Sequence, residues 1–109
     1  MSASISGTNI SLTRGDTLRV TVNIEQGGVP YVPNPGDRIR FAMKRRIDDE
    51  EPIILKDIPT DTLLLRLESE DTKNLPFGTY KYDIELTTVD GDVDTFIGPS
   101  NFTLTDEVY

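Results

Sequence analysis

The chain has 109 residues with 19 acidic and 11 basic side chains, a net charge of −8, and no cysteine, histidine or tryptophan. That size fits one domain spanning residues 1–109, with a core that removes roughly 60–70% of the unfolded surface from water. Disulfides and Ser-His or Cys-His nucleophile systems are excluded, structural zinc and most transition-metal sites lose their usual ligands, and the acidity argues against a phosphate-backbone partner.

The predicted elements are strands, because the dominant signal is period two. Asn9–Leu12 reads as a short strand. Arg14-Gly15-Asp16 is a turn, with Gly15 supplying a special backbone conformation. Thr17–Ile24 follows, with Leu18, Val20, Val22 and Ile24 on one face and Thr17, Arg19, Thr21 and Asn23 on the other. Gly27-Gly28 marks a turn. Pro30-Tyr31-Val32-Pro33-Asn34-Pro35-Gly36 is too rich in proline for a central strand and is expected to be an extended loop of polyproline character. Asp37–Lys44 is a strand with Ile39, Phe41 and Met43 inward. Pro52–Lys56 is a strand whose phase the pattern leaves open. Thr62–Glu68 puts Leu63, Leu65 and Leu67 on one face.

One helical turn is predicted at Ser69–Leu75, capped by Ser69, favoured by Glu70 and Asp71, and stopped by Pro76 and Gly78. Thr79–Thr88 is a strand with Tyr80, Tyr82, Ile84 and Leu86 inward. Asp90-Gly91 predicts a two-residue type I′ hairpin into Asp92–Ile97. Asn101–Leu104 is expected to be a separate terminal strand. Seven to eight short strands with frequent turns predict an all-β fold, an antiparallel sandwich of immunoglobulin-like type with one short helical turn. Tyr80, near the start of its strand and just after a turn, matches the tyrosine of the immunoglobulin corner, which bonds back to the upstream backbone.

Four groups are candidates for chemistry or binding. Arg14-Gly15-Asp16 matches a tripeptide that some adhesion receptors read, but the reading adopted is a turn feeding the next strand. Asp90, Asp92 and Asp94 alternate around a hairpin and are a weak Ca²⁺ candidate; the calcium-loop pattern is not met, so a solvated tip with no metal and no cofactor is expected. Lys44-Arg45-Arg46 is followed at once by Asp48-Asp49-Glu50-Glu51, an exposed loop of opposed charge. The proline loop is the candidate contact surface, through Pro30, Tyr31, Pro33 and Pro35. Of the eight aromatics, Phe41, Tyr80, Tyr82 and Phe102 are assigned to the core. Tyr31, Phe77, Phe96 and Tyr109 are expected to be exposed, with no row that would make a sugar platform. Asn9-Ile10-Ser11 and Asn101-Phe102-Thr103 fit the glycosylation sequon, which matters only for a secreted eukaryotic chain. Catalytic residues are not expected.

Six stretches then fall in a familiar order: Ile10–Thr17, Pro35–Lys44, Pro52–Pro59, Leu67–Leu75, Gly78–Ile84 and Gly91–Ile97. Together they resemble small phage and prophage structural proteins of Firmicutes, and are similar to the N-terminal immunoglobulin-like module of phage baseplate upper proteins. The resemblance implies a non-catalytic virion protein of the tail or baseplate. It would be made in the bacterial cytoplasm, carried in the virion, and partnered by other virion proteins or by its own copies. Nucleic acid and membrane are not expected partners: residues Met1–Ile5 carry no signal-peptide features, and no apolar run approaches a membrane span. Edge strands and the Pro30–Gly36 loop would supply the contacts. The alternative is a carbohydrate- or receptor-binding adhesion module.

Overall fold

Alternating apolar and polar side chains turn most of this chain into strands that each present one oily face. A computed structural model describes residues 3–6, 8–26 and 28–106. In chain order the strands are β1 (Ala3–Ser6), β2 (Asn9–Thr13), β3 (Leu18–Thr21), β4 (Glu25–Gln26), β5 (Val29–Pro30), β6 (Arg38–Lys44), β7 (Ile54–Ile58) and β8 (Leu64–Leu67). A single helical turn, α1 (Ser69–Thr72), leads into the long strands β9 (Gly78–Thr87) and β10 (Val93–Thr105). The large sheet has the order β1-β2-β10-β9-β6-β7, and β3 pairs with β8 to form a two-stranded second sheet. β4 and β5 make only a two-residue ribbon. This is the predicted all-β sandwich, with β3 and β8 on one side and β6, β9 and β10 on the other.

One pairing departs from the all-antiparallel expectation. β2 and β10 run parallel, with Ile10 opposite Phe102 and Leu12 opposite Leu104. Nearly the whole domain lies between these two strands in sequence, which is ample chain for a parallel crossover. The expected break before Asn101–Leu104 is also absent. β10 runs through Gly98 and Pro99 as one strand, with its register against β9 shifting between Thr95 and Ile97 and again between Ile97 and Ser100. Bulges of this kind let a strand bend and continue, so turn-forming residues inside a run need not end it. The run predicted over Thr17–Ile24 is a regular strand only over Leu18–Thr21, yet Val22 still bonds to Leu63, and Val22 and Ile24 stay buried in phase with Leu18. β7 lies two residues later than predicted, with Ile54 and Ile58 inward. Leu63, just before β8, has φ 55° and is half-buried, while Leu65 and Leu67 are fully inward.

The inward faces meet in one core. Phe41, Phe102, Ile39, Met43, Leu12 and Leu67 have no exposed surface. The Phe41 ring lies 5.3 Å from Tyr82 and 6.2 Å from Phe102, and Tyr82 meets Phe102 edge-on at 6.1 Å. Offset and edge-to-face contacts of this kind add to the area they bury. Tyr80 is buried, and its hydroxyl donates to the Pro76 carbonyl, four residues upstream. That is the corner bond predicted for it.

Two local predictions change. The helix cap is Glu68 and not Ser69: the Glu68 N–H donates to Asp71 Oδ2 at 2.7 Å, as in a capping box shifted by one residue. At Asp90-Gly91 the loop is longer than two residues. Gly91 N–H donates to Thr88 O at 2.9 Å, Thr88 N–H donates to Asp92 O at 2.8 Å, and Gly91 has φ 91° while Asp90 is not in the positive region. A three-residue loop built on a type I turn with a glycine bulge needs only one left-handed residue, whereas a type I′ turn needs two. Gly91→Ala is therefore expected to cost about 1–2 kcal/mol from backbone strain alone, since a Cβ there meets nothing within 4 Å. Asp90→Ala should stay within about 0.5 kcal/mol. Urea unfolding of the two variants checks the turn type, and equal large losses would restore the I′ assignment.

Candidate functional site

Arg14-Gly15-Asp16 is built into the domain and not presented by it. All three residues are half-buried. Asp16 N–H donates to Thr13 O at 3.0 Å, closing a turn whose third residue, Gly15, has φ 85°. Gly15 N–H donates to Thr72 Oγ1 at 2.9 Å. The Arg14 backbone N–H reaches Thr105 O at 3.0 Å, its Nη1 donates to Leu75 O at 3.2 Å, its Nη2 lies 3.6 Å from Asp106, and its guanidinium sits 5.6 Å from the Phe77 ring centre. The tripeptide thus ties β2 to the end of β10 and to the corner before β9.

The proline loop differs from the exposed surface expected of it. Pro30 pairs with Glu25, and Tyr31 N–H donates to Ile24 O at 2.8 Å, so the segment begins as a strand ribbon. Tyr31 is half-buried and packs against Phe96 at 5.6 Å. Its hydroxyl donates to Asp37 Oδ2 at 2.7 Å, and that bond to the carboxylate holds the phenol above its ordinary range. Gly36, at φ 90°, lies against the Val89 side chain, where an added Cβ would come to 3.0 Å. The loop is therefore clasped to the β9–β10 hairpin. Tyr31 and Phe96 leave the set of free aromatics for that reason, Pro33 is half-buried, and Pro30 and Pro35 remain exposed. Phe77 is exposed, as expected. Gly27, in the predicted Gly27-Gly28 turn, and Tyr109 lie outside the described residues.

Asp90, Asp92 and Asp94 are exposed at the hairpin. Among the described residues no group of three or more carboxylates is placed to hold a metal ion. In the β6–β7 loop, Lys44 Nζ donates to the Asp49 backbone carbonyl at 2.8 Å and the Arg46 backbone N–H donates to Asp49 Oδ2 at 3.1 Å, so these contacts fold the loop back on itself. On the outer face of the large sheet, Arg38 and Arg40 converge on Asp57 at 3.1 and 3.4 Å. The Arg38 hydrogen bond, with both positive charges, holds that carboxyl below its usual range. No helix among the described residues is long and apolar enough to cross a membrane.

The sheet edges are treated unequally, which the sequence reading missed. β7 ends the large sheet, and its inward positions are Ile54, Lys56 and Ile58. Lys56 turns inward and pairs with Asp71 of α1 at 3.0 Å. An inward-pointing lysine on an edge strand discourages a further strand from adding there. β3 carries no such guard. Beside it, between the two sheets, lies a cleft of about 320 Å³ lined mainly by Ile10, Val20, Val22, Leu65, Ile84 and Ile97. Tyr82 also borders the cleft; its hydroxyl donates to the Thr8 carbonyl, and burial raises the phenol above its ordinary range. The signal that could have exposed the contrast is the period-two phase of Lys56 between Ile54 and Ile58.

No protein-family model matches the chain, and a search of curated proteins finds no match.

Proposed function

We propose that this domain is a non-catalytic assembly module of a bacteriophage virion, a tail- or baseplate-associated protein of the kind its sequence resembles. The observation that carries the reading is the placement of exposed apolar side chains. Val89 and Val93 stand 71% and 61% exposed on the β9–β10 hairpin, with Val32, at 79%, on the loop clasped to it. Ile47, Ile53 and Leu55 stand 58%, 42% and 52% exposed around the β6–β7 hairpin. β6 runs from one group to the other, since Arg38 pairs with Thr87 at the base of the first hairpin and Lys44 leads into the second. Exposed apolar groups mark interaction surfaces. Two of them at opposite ends of one small sheet suit a subunit held between neighbours. The side chains of Arg14, Tyr31, Lys44 and Asp49 are engaged in holding turns and loops, which suits a structural role better than chemistry.

The test is composition of particles. In a lysogen carrying the gene, induced particles purified on a density gradient and read by quantitative mass spectrometry should contain the chain at a fixed ratio to the major tail protein. Its presence in the lysate and absence from intact particles overturns the proposal.

A further inference from the structure

The second sheet has only two strands, so neither of its outer edges is paired among the described residues; the β3 edge is the one that borders the apolar cleft. The register of β3 against β8 pairs Leu18 with Leu67 and Val20 with Leu65, and Val22 N–H donates to Leu63 O at 2.8 Å in the same register. In an antiparallel pair, alternate residues exchange both backbone bonds with the partner, and the residues between them point away from it. Leu18, Val20 and Val22 therefore bond toward β8, and the N–H and C=O groups of Arg19 and Thr21 face the other side. No described residue pairs with them there. The open row runs beside the apolar cleft between the sheets, and the inward positions of β3 carry neither charge nor proline.

We propose that this edge is a strand-addition site, and that its occupant is an extended segment of a partner protein in which apolar and acidic residues alternate. An added strand would satisfy the free backbone groups of Arg19 and Thr21 and send alternate side chains into the cleft, the mode in which main-chain bonds give affinity and pockets give selectivity. The charge on the outer face selects the other side chains. Arg19 and Arg66 stand directly opposite each other on exposed positions, a like-charge pair that costs stability. Arg66 is answered by Glu68, while Arg19 makes no ion pair with a described residue. An acidic side chain on the neighbouring strand would supply the missing partner. The same charges disfavour a second copy of this chain at the site, because pairing two β3 edges would gather four arginines. β7 does not compete, since Lys56 guards it.

The site rests on the assembly reading for its biological purpose but is testable without it. The probes are two capped seven-residue peptides, one alternating isoleucine with glutamate and one alternating isoleucine with lysine, added to the full chain. Fluorescence anisotropy measures affinity, and amide hydrogen exchange locates binding. The glutamate peptide should bind about fivefold more tightly, the size of an exposed ion pair of about 1 kcal/mol. It should slow exchange at Arg19 and Thr21. Arg19→Glu should reverse the preference, and Thr21→Pro, which removes an N–H from the open edge, should weaken both peptides about tenfold. Arg19→Glu alters only an exposed side chain, so it carries the test if the proline variant misfolds. The proposal is overturned if neither peptide protects β3, if protection falls on β7, if Arg19→Glu leaves the preference unchanged, or if β3 becomes protected by self-association without peptide. Failure here with the chain present in particles removes only this site. Peptide binding with the chain absent from particles removes only the virion reading.

Discussion

Phe41→Ala is expected to destabilise the domain by about 3–5 kcal/mol, the usual range for removing a buried phenylalanine. Phe41 lies in the middle of β6, which is flanked by β7 and β9, so the strand has no free edge through which to relax. Its ring has no exposed surface and touches both Tyr82 and Phe102. Truncation removes the apolar area and both aromatic contacts, and leaves a hole lined by groups fixed in two other strands. Domains of this size have only about 5–15 kcal/mol in total, so the variant should unfold at a much lower urea concentration, with an unchanged slope. Phe77→Ala is the comparison. Phe77 is 59% exposed, and among the described residues its ring is met by the Arg14 guanidinium, so the loss should not exceed about 1 kcal/mol. Equal losses in the two variants would mean that the core has been placed wrongly.

Phe41 also shows which parts of the fold the sequence makes legible. Its inward position follows from two neighbours at spacing two, Ile39 and Met43, and the same logic places Tyr82 and Ile84 on β9. These are local patterns, and a strand with one oily face has one way to bury it. Tyr80 was legible for a different reason: a turn and a strand start fix where its hydroxyl falls. What was not legible depends on partners far away in sequence. Tyr31 reads as an exposed loop residue until Phe96 and Asp37 are seen to receive it. The parallel pairing of β2 with β10 involves residues separated by most of the chain. Asp90 carries the same dipeptide signature in a type I′ turn and in a bulged three-residue loop, and the choice between them is made by how Thr88 and Asp92 pair. The open edge of β3 was least legible of all. An alternating strand has the same pattern whether it has one neighbour or two, so only the sheet order reveals a missing partner.

Thr72→Val is expected to cost about 1–3 kcal/mol, although it exchanges side chains of nearly equal volume. Thr72 ends α1 and is fully buried, and its hydroxyl accepts the N–H of Gly15, 57 positions earlier in the chain, at 2.9 Å. Gly15 is the left-handed residue of the Arg14-Gly15-Asp16 turn, so its N–H is held in place by the turn itself. Valine keeps the packing and removes the acceptor, which leaves a donor facing an apolar methyl. Because Gly15 is half-buried, the loss is part of the donor's desolvation penalty and falls toward the lower end of that range. Thr72→Ser keeps the acceptor and loses one methyl, so it should cost about 0.8 kcal/mol. The order of the two variants separates the bond from the packing: if serine is the more destabilising, Thr72 matters for its shape alone. Hydrogen exchange gives a second readout that packing would not move. In Thr72→Val the Gly15 amide should exchange faster, while the amides of β9 keep their protection relative to global stability. A Gly15 amide that stays protected in the valine variant would show that another group holds it, and the link between this turn and α1 would have to be abandoned.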